Sequence, residues 1–400
     1  MSRICECIKS ELSLFDHIPV QTVVSKGRFD EIYPLHPVTS GPIEFYFKSS
    51  DSDMFDLNDT LLEIIAKITN DDGSDIPDAE KPSVSKYFMY SIIHDLSIHL
   101  NETKIEGGHF LYPYQAYFSK ILESNSIYKQ CQLEAVEPSG AVNKTFQCIG
   151  PLLSDFLQQG RYLLNECSIR IKINMHKPTF FVTNGQKDYK LNISRAILHV
   201  RRCDINPQVL HGHETGLLKG PATYPLQHTD TITQTLAAGV KSANLDNLFS
   251  GQSPKLLVVA MLNNDNFNGT NTTNPFDFKP FDLTCLTLYV NSDAITHRMD
   301  FPNKLCRRQY LSMFQNLEML KGDESNGITY VEWLKHPLFV FNLCPDMAFD
   351  AEHGQVKSRP NLRLEFQFSK DLPNAINVVI MSITDGILTI NKDRQVSLEY

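Results

Sequence analysis

No apolar run in the 400-residue sequence exceeds the seven residues from Leu256 to Leu262. A helix crossing a bilayer needs about 20 such residues, so no membrane span is read. The amino terminus, Met1-Ser2-Arg3-Ile4-Cys5-Glu6-Cys7, has no apolar h-region, and no secretory leader is expected. Basic clusters are missing too: 37 lysines and arginines are scattered among 46 acidic residues, for a formal charge of −9. A nucleic-acid interface would concentrate its cations, so contact with double-stranded DNA is expected only indirectly. Low-complexity segments are absent, and 19 Gly and 21 Pro are ordinary levels, which excludes a disordered or fibrous chain. The nine cysteines are odd in number and widely spaced, the pattern of free thiols in a reducing compartment. Asn58, Asn101, Asn143, Asn192, Asn268 and Asn271 stand in N-x-S/T frames, and without secretion they read as turn and strand-end asparagines.

Chemistry is equally sparse. No G-x-x-x-x-G-K-[ST] loop, G-x-S-x-G elbow or H-E-x-x-H helix occurs, and the carboxylates lie at turns and on polar strand faces. No catalytic, cofactor or metal residue is assigned, and the chain is not read as an enzyme. Cys5-x-Cys7 lacks the second ligand pair of a zinc site. His211-Gly212-His213-Glu214 suggests a cupin metal site, but those ligands need an inward-facing strand and a further His on a later one. Pro207, Gly216, Gly220, Pro221 and Pro225 flank it, the composition of a polar interdomain turn. Asn70 to Asp75 departs from the calcium-loop order and reads as a tight turn at Asp72-Gly73.

What the chain does contain is a pattern written twice. Leu96-Ser97-Ile98-His99-Leu100-Asn101 alternates apolar and polar, the mark of a half-buried strand. Leu286-Thr287-Leu288-Tyr289-Val290-Asn291 repeats it 190 residues later, down to the terminal Asn. An amphipathic helical stretch follows each, at 114–123 with Tyr114, Tyr117, Phe118, Ile121 and Leu122 on one face, and at 309–318. The apolar strand at 61–68 is matched by 256–262, and the alternating strand at 167–174 by 361–368. Each of the latter leads to another strand, at 196–200 and at 376–381. The order strand, strand, helix, strand, strand therefore recurs, and predicts two β domains of one architecture.

The predicted organisation is a tail at 1–18, a first domain at 19–205, a linker at 206–227 and a second domain at 228–400. Further strands are expected at about 20–24 and 42–47; residues 83–94 are ambiguous and 125–150 are loop-like. In the tail, Ile4, Ile8, Leu12 and Phe15 share one helical face before Pro19. That face fits either a docked terminus or an arm to a neighbouring subunit. Between two strands of the second domain lies a run rich in Asn, Thr and Gly. Asn263, Asn266, Phe267, Asn268, Asn271 and Asn274 are its candidate contact residues, either for a partner or for an internally bonded loop. This loop and both helices are expected at or above the tops of the domains.

A resemblance adds identity to the pattern. Cys5-Glu6-Cys7-x-Lys9-Ser10-Glu11-Leu12-x-Leu14-Phe15 and Gly41-Pro42-Ile43-Glu44-Phe45 resemble the opening of the major capsid proteins of Polinton (Maverick) elements and the related adintoviruses. The similarity continues at Tyr112-Pro113-Tyr114-Gln115-Ala116-Tyr117, Ile149-Gly150-Pro151-Leu152, the stretch 247–255, Phe267-Asn268-Gly269, Asn274-Pro275-Phe276 and Asn361-Leu362-Arg363-Leu364-Glu365. It implies an all-β double jelly roll: two eight-stranded antiparallel sandwiches in tandem, with short helices in the loops. It also implies a homotrimer whose six barrels form a pseudo-hexagonal tile of an icosahedral shell, with obligate interfaces above about 2,000 Å² per pair. Penton or minor capsid proteins would be partners, and the virion the final location, after assembly in the nucleus or cytoplasm of a host cell. The competing readings are a cupin-type enzyme and a jelly-roll ligand-binding module, a domesticated relative that does not assemble.

Overall fold

The structure, a computed structural model, describes residues 20–38, 41–78, 80, 82–107, 111–185, 187–249, 251–320, 325–349 and 353–400. The first unit contains β1 (Val24–Ile32), β2 (Ile43–Lys48), β3 (Asp53–Asn70), β4 (Ile93–Leu100), β5 (Thr103–Glu106), β6 (Phe146–Pro151), β7 (Ser168–Met175) and β8 (Tyr189–Ile205). The second contains β9 (Ala222–Leu236), β10 (Ser242–Leu245), β11 (Leu256–Asn263), β12 (Leu283–Val290), β13 (Asp293–Arg298), β14 (Phe339–Asn342), β15 (Leu362–Phe368) and β16 (Ile376–Ile390). A further strand, β17 (Val396–Glu399), pairs with the far end of β16. In the first unit the sheets run β1-β8-β3-β6 and β2-β7-β4-β5. In the second they run β9-β16-β11-β14 and β10-β15-β12-β13. Counted one to eight within each unit, both are 1-8-3-6 against 2-7-4-5, all antiparallel. That is the strand order of a jelly roll, formed twice.

Side-chain alternation explains how each sandwich closes. Ile43, Phe45 and Phe47 of β2, and Ile169, Ile171 and Ile173 of β7, are buried, while Glu44, Tyr46, Arg170 and Lys172 between them are not. In the second unit Leu362, Leu364, Phe366 and Phe368 of β15 do the same. Burying each such side chain contributes roughly 1.5–3 kcal/mol. Strand β11 is different: Leu256 to Leu262 are all buried, so both its faces are covered.

The asparagines that end the echoed strands have the same conformation. Asn101 and Asn291 both take positive φ, 46° and 56°, at the hairpins β4–β5 and β12–β13. Asn tolerates this region because its short side chain can bond locally. The Asn101 N–H donates to Ser168 O at 2.9 Å, and Ser168 N–H returns a bond to Asn101 Oδ1 at 2.8 Å. Asn291 and Asn361 repeat the exchange at 2.9 Å each way. The shared letter in the sequence is a shared bond in the structure.

Among the described residues the connections carry α1 (Phe88–Ser91), α2 (Tyr112–Glu123), α3 (Ser126–Cys131), α4 (Pro178–Phe181), α5 (Pro207–Leu217), α6 (Asn264–Asn268), α7 (Arg307–Asn316) and α8 (Tyr330–Lys335). The ambiguous stretch 83–94 resolves into α1 and the start of β4, and the loop-like 125–150 contains α3 and β6. The expected strand at 20–24 begins instead at Val24. Residues 206–227 are not a polar turn. Asn206 accepts the N–H of Gln208 at 3.0 Å, Pro207 occupies the first helical turn, and α5 follows. Gly212 and Gly216 hid this helix, since glycine costs about 1 kcal/mol there relative to alanine. Strand β9 then begins at Ala222, inside the expected linker. His211, Gly212, His213 and Glu214 therefore sit on one exposed helical turn. Among the described residues no group of three or more His, Cys, Asp or Glu is arranged to hold a metal ion.

Candidate assembly surfaces

For a chain built from two sandwiches, the functional geometry starts with how they are joined and which faces remain free. Helix α2 lies on the join. It starts at Tyr112 with Pro113 in its first turn, where a missing N–H costs nothing. Tyr112 and Ala116 pack into the first core, whereas Tyr114, Phe118 and Leu122 pack into the second. The stripe that the sequence shows therefore serves the second core, with Tyr117 and Ile121 touching both, while Tyr112 and Ala116 on the other face enter the first.

The loop after β11 is its partner, which corrects the expectation of an exposed contact loop. Phe267 stacks on Tyr114 at 5.6 Å, Phe276 on Tyr117 at 4.5 Å, and Phe278 tilts against Phe118 at 5.4 Å. Aromatic pairs of this kind contribute about 0.5–1.5 kcal/mol beyond area burial. Asn266 is buried and donates to Asn274 O at 2.9 Å. Asn271 donates to Lys187 O at 2.8 Å, and its own carbonyl accepts Gly185 N–H. Asn263 is half-buried at the strand end, and only Asn268 and Asn274 of the six candidates are exposed. Polar composition marked the loop, but three phenylalanines dock it. The helix and the loop therefore pack against each other, and α2 contacts both cores.

A second join is made by strands. β9 and β16 pair continuously from Leu236↔Ile376 to Ala222↔Ile390. At one end Leu236 and Ile376 to Ile383 belong to the second core; at the other, Tyr224, Leu226, Leu388 and Ile390 belong to the first. The carboxyl-terminal segment completes the crossing. Arg394 donates to Asn165 O at 2.9 Å and Asn165 Oδ1 at 2.8 Å, and Asn101 Nδ2 donates to Arg394 O at 2.8 Å. Tyr400 donates to Ile105 O at 3.1 Å and stacks on His228 at 3.8 Å.

Beside Tyr400 a cavity of about 290 Å³ is lined by Glu106, Tyr112 and His228 among others. Glu106 accepts the Ser154 hydroxyl, and Asp155 accepts Thr229 N–H at 2.8 Å with His228 Nδ1 3.5 Å away. Loss of water pushes the Glu106 carboxyl up to about 8, and the nearby charge of Asp155 adds to the shift. On the other side of the join, burial lowers His176 to about 4, with His94 contributing; its ring stacks on Phe180 at 3.9 Å.

The outward faces carry separate apolar groups. Edge strand β1, paired only with β8, exposes Phe29, with Tyr33 and Leu35 just beyond it. In the second unit Tyr330 ties three segments together. Its hydroxyl accepts Cys306 N–H and donates to Lys304 O, and the Arg307 guanidinium lies over its ring at 5.2 Å. These segments expose Leu305, Leu311 and Val331. None of these was singled out in the sequence, because exposure of one apolar residue on an amphipathic helix leaves no periodic signal. The expected arm residues Ile4, Ile8, Leu12 and Phe15 lie outside the described residues.

Two jelly rolls sharing a helix, a loop and a strand pair define the class: this is a double jelly-roll protein. No protein-family model matches the chain. It is 22% identical over 385 residues to an uncharacterised protein of Caenorhabditis elegans, covering 88% of this chain and 91% of that one. A chain of the Sputnik virophage structure superposes with a TM-score of 0.65 at 13% identity, over 98% of this chain and 91% of that one. A chain of the PBCV-1 virus capsid gives 0.63 at 10% identity, over 96% and 99%. The mavirus major capsid protein gives 0.53 at 11% identity, over 100% and 95%. At such identities the likeness is one of fold.

Proposed function

We propose that the chain is a major capsid protein, three copies of which form a pseudo-hexagonal capsomer that tiles an icosahedral shell. The carrying observation is the repeated eight-strand order locked together by shared elements, with whole-length likeness to capsid chains. Two like barrels held at fixed spacing supply two sides of a hexagon, and a threefold axis supplies the rest. The mechanism is assembly. The resemblance of the sequence to capsid proteins of Polinton/Maverick elements and adintoviruses supports placing it on that side of the family. In this reading the partners are further copies, penton or minor capsid proteins, and enclosed DNA only indirectly; the destination is the virion.

Mass by light scattering, with negative-stain images of the same peak, tests the proposal. The monomer is 45.5 kDa, so a trimer has 136.5 kDa. A trimer of hexagonal outline supports the reading. A stable monomer at assembly concentrations would sink it and favour a binding module that does not assemble.

A further inference from the structure

The outward face of the sheet β2-β7-β4-β5 carries a row of side chains that the first core does not use. Strand pairing sets Tyr46 beside Arg170, Arg170 beside His99, and His99 beside Lys104, one residue from each strand. Lys172, the next outward residue of β7, lies 3.8 Å from Glu44. A hollow of about 460 Å³ opens over Tyr46, Arg170, His99 and Lys172, with Glu44 and Glu102 also at its wall. Like charges opposite one another on a sheet are destabilising. Yet among the described residues neither Arg170 nor Lys104 has a carboxylate partner. Burial, then Lys104, Arg170 and Lys172, hold the His99 imidazole below its usual value, against Glu44. His99 Nδ1 is buried with no hydrogen-bond partner among the described residues.

The second unit supplies an internal comparison. Matching the Asn101–Ser168 exchange to the Asn291–Asn361 exchange puts Tyr289, Arg363, Glu365 and Ala294 where the first unit has His99, Arg170, Lys172 and Lys104. There the charge is settled within the sheet. The Arg363 guanidinium lies over the Tyr289 ring at 4.2 Å, and the Tyr289 hydroxyl donates to Glu365 at 3.2 Å. In the first unit Arg170, Lys172 and Lys104 instead outnumber Glu44 and Glu102. We propose that the hollow binds an oxyanion, a carboxylate or sulfate group of a small polar ligand, held by Arg170 and Lys172 against Tyr46. A guanidinium presents parallel N–H donors that fit either group, and an anion there offsets the row of cations. The inference stands on this face and not on capsid assembly.

The test is saturation-transfer NMR on the full chain at constant ionic strength, with methyl glucuronide, glucose 6-sulfate and neutral methyl glucoside as probes. The two charged sugars should bind with dissociation constants of about 1 mM, the neutral one should not, and inorganic sulfate should displace both. Displacement at equal concentration assigns the site to a free anion; a need for excess sulfate assigns it to an anion carried on a ring. Arg170→Gln should weaken binding about tenfold. Glu102→Gln, which removes a repelling charge, should strengthen it about twofold. Arg363→Gln, at the matching place in the second unit, should leave binding unchanged. R170Q should melt close to the wild type, because its neighbours in the row are cations, and this separates lost binding from lost fold. Absence of binding, equal binding of the neutral sugar, or equal losses in R170Q and R363Q would overturn the proposal.

Discussion

Glu106 ends β5 where the residues after β6, the strand β9 and the carboxyl terminus meet, facing Asp155, His228, Tyr400 and Lys104. Its folded value of about 8 lies above the ordinary 4.5, so the folded chain holds a proton there that the unfolded chain releases. Its contribution to stability is complete below pH about 4.5 and is lost as pH rises through about 8. Melting temperature should therefore fall between pH 5 and 8, and Glu106→Gln should flatten that slope. Equal slopes in both proteins would exclude Glu106 as the source. Gly269 is a second single-residue constraint. Its φ is +77°, and an added Cβ would stand 2.8 Å from Phe180 Cα. Gly269→Ala must shift the loop or α4, and we expect a loss of about 1–3 kcal/mol in denaturant unfolding. An unchanged midpoint would mean the loop docks more loosely than its geometry indicates.

At the scale of elements, the β9–β16 pair and the terminal strand β17 carry the crossing between units. Val396 and Leu398 pack against the first core although they end the second unit. Removing residues 391–400 should therefore raise hydrogen exchange in β4 and β5 of the first unit while leaving β11 protected. Loss of protection in β11 instead would show that the tail stabilises its own unit. Helix α2 follows the same logic, since its opposite faces serve different cores. Neither dependence follows from position along the chain.

At the scale of the whole molecule, the described residues of the two units are joined by buried contacts through α2 and through the β9–β16 pair. The exposed Leu305, Leu311 and Val331 are our candidates for contact between copies, since clustered apolar surface on a soluble domain commonly marks an interface. The double change Leu311→Glu and Val331→Glu should reduce the scattered mass from 136.5 to 45.5 kDa with little change in melting temperature. A trimer that survives the change would place its contacts elsewhere, with the edge around Phe29 next in line.

Much of this architecture was legible along the chain. Alternation marked β4, β7, β12 and β15 because each has one face on a core, and a period of two survives in the letters. The duplication was legible for the same reason, and Asn101 and Asn291 marked equivalent hairpins because few residues accept positive φ. Helix α5 was missed because glycine masked a sound amino-terminal cap. The loop at 263–281 was misplaced because composition weighs thirteen polar or small residues more than three aromatic anchors.

By itself the sequence determined the strands that alternate on one core face, the twofold repeat and the absence of recognised catalytic motifs. These depend on which side chains leave water, a property each residue carries locally. Only the tertiary structure decided which surface buries them: that α2 divides between two cores, that a polar loop closes the join, and that β16 leaves one sandwich for the other. Pairings such as Ala222↔Ile390 join residues far apart in sequence, and local periodicity contains no record of its partner.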